Sequence, residues 1–228
     1  MKKKFLLFGI ALACVFLLSA CATKKELDLN NYIIEQRDNL YVAMDDLYSA
    51  TLSSGMREEN YSFDGTITNK VPFAILTFSK LDNLPLANDT YSYTITIGEE
   101  QLTGALEKSQ LDNTYSIDLE KEIANDAVIN LQIKFTGYNF NKEMENISSS
   151  FQVDCATAIK IATKELKSEI KNTLNENNKI EVVTKILKDY SSSEVKAYYW
   201  YIGVVATSGE TFGILIDSNT GNIIAKKV

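Results

Sequence analysis

The side chains that could support chemistry in this sequence are thiols and carboxylates, because histidine is absent. Without histidine, Ser-His-Asp and Cys-His nucleophile systems and His-ligated zinc sites are excluded. The ten glycines form neither a P-loop nor a G-x-G-x-x-G dinucleotide motif. Enzymes that act through two carboxylates remain conceivable. The sequence therefore predicts a protein that is not an enzyme, with no catalytic, cofactor-binding or metal-binding residues.

Acidic residues are adjacent in the sequence at three places, Asp45-Asp46, Glu58-Glu59 and Glu99-Glu100. Neighbouring side chains of a strand point to opposite faces, so these pairs are predicted to be solvated surface. Asp118 and Glu120 share one face but lie beside no evident cleft. A hydrolase built on two carboxylates is kept as an alternative.

Asp217, Asn219 and Gly221 resemble part of a calcium-binding loop. An EF-hand loop requires glycine at its sixth position and glutamate at its twelfth, where this sequence has Asn222 and Val228. A β-turn stabilised by Asp and Asn side chains is therefore predicted here.

Four consecutive aromatic residues, Tyr198, Tyr199, Trp200 and Tyr201, could face a partner. On a strand, Tyr199 and Tyr201 point one way while Tyr198 and Trp200 point the other, so one pair packs inside. Packing in the core or between domains is the favoured interpretation, and a stacking platform for a peptide or glycan is the alternative.

Cys155 precedes a predicted helix, where the helix dipole can lower a thiol pKa. A lone buried cysteine without reactivity is the other interpretation, and it is the commoner case.

The N-terminus has the layout of a secretory signal: Lys2 to Lys4, then an apolar run from Phe5 to Leu18. That run would form a helix of about 21 Å, too short for a comfortable membrane span. It ends in Leu18-Ser19-Ala20-Cys21, which resembles the lipobox of bacterial lipoproteins. The resemblance implies diacylglycerol on Cys21, cleavage after Ala20 and acylation of the new amino terminus.

Two alternatives to that lipobox remain. Ala20-Cys21-Ala22 also fits an ordinary signal peptidase, which would release a soluble protein. Cys14 is a second candidate for lipid attachment, although it lies within the apolar run. The predicted location is the extracytoplasmic face of a cell membrane, in a Gram-positive cell by composition.

Without the three lysines of the signal, 20 basic residues remain against 30 acidic ones, a formal charge of −10. This balance argues against nucleic acid as a partner. It also argues against broad electrostatic binding to anionic lipid.

The chain is predicted to be α+β, with a signal peptide at 1–20, a lipidated tether and short helix at 21–46, and two domains. Ile33, Leu40 and Met44 fit one face of a helix between Tyr32 and Met44. Alternating strands within 47–150 then predict an antiparallel β-sandwich of immunoglobulin-like type. Their cores are 48–52, 73–78, 91–97, 115–119 and 129–135.

The pattern changes at 151. Asp154 is a candidate N-cap for an amphipathic helix of about five turns over Ala156–Leu174. Strands follow at 180–187, 197–206, 211–216 and 222–225, with a hairpin turn at Ser208-Gly209. A helix is the alternative at 180–187.

This part of the chain resembles the PepSY family of small extracytoplasmic domains in four features. They are that helix, the strand Tyr199–Val205, the segment Gly213-Ile214-Leu215-Ile216-Asp217, and the residues Thr220-Gly221-Asn222-Ile223. The resemblance covers about 151–228. It implies a helix-plus-antiparallel-sheet domain without catalytic residues and a link to restraining peptidases.

The functional prediction is a lipid-anchored, non-catalytic protein that binds a peptide or protein of the cell envelope, with a peptidase among the candidates. A spacer module that contacts the cell wall is the structural alternative. The predicted partners are the membrane, through the anchor, and an envelope protein or peptide.

Overall fold

Residues 26–82, 84–188 and 197–228 are described by the computed structural model, and they form thirteen strands and two short α-helices. The strands are β1 (Ile33–Met44), β2 (Tyr48–Glu58), β3 (Lys70–Lys80), β4 (Ser92–Ile97), β5 (Glu100–Ala105), β6 (Glu107–Lys108), β7 (Tyr115–Leu119), β8 (Ile129–Phe135), β9 (Tyr138–Asn146), β10 (Ile180–Lys188), β11 (Tyr198–Ala206), β12 (Thr211–Asp217) and β13 (Ile223–Lys227). The helices are α1 (Cys155–Glu165) and α2 (Lys167–Asn175). The predicted signal peptide, Ala20 and Cys21 lie outside the described residues.

The strands form one hydrogen-bonded network centred on β1. The main path runs β13-β12-β11-β10-β1-β2-β3-β7-β6. The second half of β1 also pairs with β9, which leads through β8 and β4 to β5. Only the β1–β10 pairing is parallel among these contacts. The register of β1 shifts twice, and such bulges increase local twist, so the sheet curls until it is nearly closed.

The predicted fold class was therefore wrong. The chain is not an immunoglobulin-like sandwich followed by a PepSY-like helix-and-sheet domain, but a mostly antiparallel, nearly closed sheet with two short helices. Strand periodicity identified nine of the thirteen described strands and missed β5, β6 and β9, and it carried no information on strand partners. The β1–β10 pairing joins Ile33 to Val182, and no local pattern could reveal so distant a contact.

The predicted helix at Tyr32–Met44 was also wrong, because this segment is the central strand β1. Its two faces enter different hydrophobic cores. Leu40 and Val42 pack in the core beneath the helices, whereas Tyr41 and Ala43 pack in the core between the two parts of the sheet. A strand buried on both faces loses the polar alternation that identifies other strands.

The two cores use different elements. The helix-side core lies between α1, α2 and the strands β10 to β12, and its largest side chain is Trp200. The sheet-side core lies between β1, β2, β3 and β7 on one side and β4, β8 and β9 on the other. Because β1 contributes to both, we expect the cores to support one another.

Most other predicted elements are confirmed. The strands expected near 48–52, 73–78, 91–97, 115–119, 129–135, 180–187, 197–206, 211–216 and 222–225 are all present. Asp154 caps α1 by accepting the amide N–H of Thr157 at 2.7 Å. The single predicted helix is divided at Leu166, whose backbone leaves the helical region. Each helix of the described ranges is too short or too polar to cross a bilayer.

Candidate functional site

One face of β10, β11 and β12 points away from the helices, and we call it the outer face. The cross-strand registers align its central residues, which are Val183, Lys185, Leu187, Tyr199, Tyr201, Gly203, Val205, Gly213 and Leu215, and place Glu181, Thr211 and Asp217 at its ends. The non-glycine side chains of the central set are half-buried and join neither hydrophobic core. The alternate residues of the same strands are buried beneath α1 and α2. The outer face is thus a mainly apolar surface on a rigid sheet.

Two glycines give this face its relief. Gly203 and Gly213 are direct cross-strand partners. A Cβ on Gly203 would lie 2.7 Å from the Tyr201 hydroxyl oxygen, and one on Gly213 would lie 3.3 Å from the same ring. The Tyr201 ring therefore lies along the backbone in the space that glycine leaves free. The Tyr201 ring thus covers the glycine pair.

A lysine side chain accompanies that ring. The Lys185 Nζ lies 5.6 Å from the centroid of the Tyr201 ring, within the range of a cation–π contact. Burial lowers the pKa of Lys185, and the nearby Arg37 guanidinium lowers it further. The outer face can thus offer an ammonium group beside an aromatic surface.

The segment 59–69, which joins β2 to β3, borders the outer face, and we call it the clasp loop. Gly65 brings it against the side chains of Lys179 and Thr207, at the start of β10 and after β11. Gly65 has φ +73°, a conformation that favours glycine. Tyr61 and Phe63 on this loop are 43% and 51% exposed, and their ring centroids are 5.5 Å apart. They add exposed aromatic area beside the outer face.

Three buried glutamates from neighbouring strands hold the clasp loop: Glu35, Glu58 and Glu181. The Gly65 N–H donates to Glu181, and the Thr68 N–H donates to Glu58. Burial raises the pKa of Glu181, and the donated amide hydrogen bonds oppose that rise. These carboxylates are acceptors for loop amides, which is a structural use rather than acid–base chemistry.

The third glutamate has charged and aromatic neighbours. The Arg37 Nε donates to a Glu35 carboxylate oxygen at 2.5 Å. Partial burial, followed by the nearby Glu35 charge and its hydrogen bond, raises the pKa of Tyr61 to about 12. Tyr61 is therefore a neutral hydrogen-bond donor over the whole physiological range.

The structure places the four predicted aromatic residues as the alternation requires. Tyr198 and Trp200 are buried, and the Trp200 indole N–H donates to the Val153 carbonyl oxygen at 2.7 Å. Tyr199 and Tyr201 lie on the outer face, half-buried. The division into an inner and an outer pair is confirmed.

Two of the acidic residues considered in the sequence form ion pairs. Asp118 pairs with Arg57, and Glu100 pairs with Lys121. The adjacent pairs are on the surface as predicted, with one exception: Glu58 is 1% exposed because the clasp loop covers it. Within the described residues, no group of three acidic or cysteine side chains could hold a metal ion.

Asp217 forms the predicted turn. One of its carboxylate oxygens accepts the N–H groups of Asn219 at 2.9 Å and Thr220 at 2.7 Å. The Thr220 amide, with smaller contributions from Asn219 and the Thr220 hydroxyl, lowers the pKa of Asp217. Its acceptor capacity is directed to the local backbone.

Cys155 is buried, and its Sγ lies 3.7 Å from the Thr184 hydroxyl. Burial raises the pKa of its thiol to about 12. The interpretation as an unreactive core residue is therefore the one that the structure supports.

Sequence reasoning missed the glycine pair, the clasp loop and its three glutamates. No local signal marked the glutamates as buried, because Arg37 follows Glu35 by two residues and Lys185 shares a strand face with Glu181. Comparison of the chain with protein-family models, curated proteins and solved structures gave no match. The outer face and the N-terminal sequence are therefore the basis for assigning a function.

Proposed function

We propose that this chain is a lipid-anchored extracytoplasmic protein that binds, without catalysis, an extended segment of an envelope peptide or protein on its outer face. One observation carries the proposal. A row of half-buried aliphatic and aromatic side chains surrounds the Gly203–Gly213 pair, which the Tyr201 ring covers, and joins neither core. An exposed apolar surface of this kind is typical of a site where a partner's apolar side chains become buried on binding.

The geometry favours an extended chain as the ligand. The glycine pair carries no side chains of its own, so a ligand backbone can lie against the Tyr201 ring that covers it, and Leu215 offers a further apolar contact. Lys185 can pair with a carboxylate of the ligand, or with its C-terminus. The exposed rings of Tyr61 and Phe63 extend the same surface along the clasp loop. Aromatic anchors with a few polar groups are typical of peptide-binding surfaces.

The anchor is supported by the sequence. A positive start, a short apolar run and Leu18-Ser19-Ala20-Cys21 together match an exported lipoprotein. Attachment by two or three acyl chains would hold the folded part durably at the membrane, since each buried methylene contributes about 0.8 kcal/mol. The outer face would then be available to other envelope proteins.

Site-directed photocrosslinking tests the binding surface. Benzoylphenylalanine in place of Leu215, on the outer face, is expected to give a discrete adduct with an envelope protein or peptide in intact cells. The same probe at Leu111, which is 97% exposed in the loop between β6 and β7, is the matched control. Adding Gly203→Val, whose side chain displaces the Tyr201 ring from the glycine pair, should abolish the adduct. Equal adducts from both probes, or none from Leu215, would reject the outer face as the binding site.

The anchor is tested separately by detergent phase partitioning. The wild-type protein should enter the detergent phase, and Cys21→Ala should remain aqueous or unprocessed. A wild-type protein that stays in the aqueous phase would favour release by ordinary signal peptidase.

A further inference from the structure

Four lysines lie on one side of the helical segment: Lys160, Lys164, Lys167 and Lys171. Their spacing of four, three and four residues places them on one helical face. Lys160, Lys164 and Lys171 are exposed, and Lys167 is half-exposed. We call this set the lysine stripe. It is a local basic surface on a chain whose overall charge is negative.

The first described residues lie against this stripe. Leu27 and Leu29 are buried in the helix-side core, and the Leu29 N–H donates to the Thr163 hydroxyl at 3.4 Å. Lys167 pairs with Glu26 at 3.2 Å. The start of the folded part is therefore fixed on the same surface as the lysines.

Hollows of about 550 and 540 Å³ lie on the two sides of this N-terminal segment. Lys160, Lys164 and Lys167 line one of them together with Asn30 and Asn31, and Lys171 lines the other. The Glu26 and Asp28 side chains line both hollows, so four lysines face two carboxylates on this surface and its local charge is positive.

The proposed anchor constrains where this surface can be. Five peptide units separate Cys21 from Glu26, so a fully extended chain spans at most about 18 Å. A lipid on Cys21 would therefore keep Glu26, and the stripe beside it, close to the headgroups. Lys24 and Lys25 add two more positive charges to the connecting sequence.

We propose that the lysine stripe rests on the anionic phospholipid surface of the membrane that holds the anchor. This inference depends on the lipid anchor of the proposed function. The charges are complementary, and each lysine near an anionic bilayer strengthens binding by about fivefold. The remaining acidic surface is repelled by the same lipids, so one orientation is selected.

Residue-resolved acetylation tests the contact without relying on natural lipidation. The mature chain, starting at Cys21, is coupled through that thiol to a maleimide phospholipid in vesicles; Cys155 is buried and its raised pKa keeps it from competing. Each lysine is then acetylated with a succinimidyl ester, and its labelling rate is read by mass spectrometry. Vesicles of phosphatidylglycerol are compared with vesicles of phosphatidylcholine.

The expected result is specific to the stripe. Labelling of Lys160, Lys164 and Lys171 should slow by about fivefold or more on phosphatidylglycerol and recover at high salt. The exposed lysines Lys134 and Lys142 should label at the same rate on both lipids. Equal slowing at all these positions, or none at the stripe, would overturn the proposal.

Charge reversal provides the matched variant. Lys160→Glu, Lys164→Glu and Lys171→Glu together should remove the protection of the remaining Lys167. The control variant changes the exposed Lys108, Lys134 and Lys142 to glutamate and should keep it. Protection of Lys167 in both variants would also contradict the proposal. Because the lipid is attached chemically, loss of the lysine contact in this experiment would not contradict the natural lipid anchor. Likewise, a protein without a natural lipid could still show the contact in this experiment.

Discussion

Truncating Leu76 should lower the stability of both hydrophobic cores, because β1 is shared between them. Leu76 is fully buried in β3, where its cross-strand partners are Leu52 and Ile117. Leu76→Ala leaves a cavity, and substitutions of this kind cost about 2–5 kcal/mol of unfolding free energy. With an m-value of about 2–3 kcal/mol/M, the urea midpoint should fall by roughly 1 M.

The assay uses a natural reporter in the other core. Trp200 is the single tryptophan of the sequence and lies in the helix-side core, which does not contain Leu76. If the sheet unfolds as one unit, Trp200 fluorescence and far-ultraviolet circular dichroism should both shift by that amount. Leu111→Ala, at a 97% exposed position, is the control, and it should change the free energy of unfolding by less than about 0.5 kcal/mol with either probe. An unchanged Trp200 transition beside an earlier second transition would show two independent domains and refute the shared-strand reasoning.

Three further predictions concern single side chains. Native Cys155 should resist alkylation at mildly alkaline pH and react on unfolding, since burial raises its pKa to about 12; fast labelling of the folded protein would contradict its placement. A hydrogen bond from Ser168 is the main cause that lowers the pKa of Glu169 from 4.5 to about 2, so its stabilising contribution is present at neutral pH and lost as the pH falls from about 4.5 to 2. Glu169→Gln should flatten that part of the stability curve, and an unaltered acid titration by denaturant melts would count against the hydrogen bond. Burial raises the pKa of Glu181, so its ionisation lowers the stability of the fold, and that stability returns as the pH falls. Glu181→Gln should therefore match or exceed wild-type stability at neutral pH. Glu181→Ala should lose about 1–3 kcal/mol, because it leaves the Gly65 N–H unpaired.

Several of the strands that sequence reasoning identified have one polar face. Tyr93 and Ile95 alternate with partly exposed threonines in β4, and Leu131 and Ile133 alternate with polar residues in β8, because only one side of each strand is buried. The strand β1 lacks this contrast, since Leu40, Tyr41, Val42 and Ala43 are all buried. Its apolar residues could be fitted to a helix as readily as to a strand.

The arrangement of strands could not be predicted for a different reason. Pairing between β1 and β10 connects residues that are far apart in the sequence, and it is stabilised by side chains from both cores. Local propensity has no access to such contacts. The resemblance between the last third of the chain and a separate small domain was therefore misleading, although its helix and strands were placed correctly.

The candidate site was predictable only in part. Alternation placed Tyr199 and Tyr201 together on one face, because side-chain direction within a strand follows from position alone. The placement of the Tyr201 ring depends on Gly203 pairing with Gly213 across two strands, and that pairing can be known only from the strand register. Glu58 was expected to be solvated, and its burial results from a loop whose path the sequence does not reveal.

Three proposals depend on the lipid on Cys21. They are the location of the protein, the availability of the outer face to envelope partners, and the membrane contact of the lysine stripe. Mass spectrometry of the N-terminal peptide from the membrane-extracted protein measures this lipid directly. The account predicts a peptide that begins at Cys21 and carries a diacylglyceryl thioether, with or without an acylated amino group. A peptide beginning at Cys21 or Ala22 with no acyl group would contradict it.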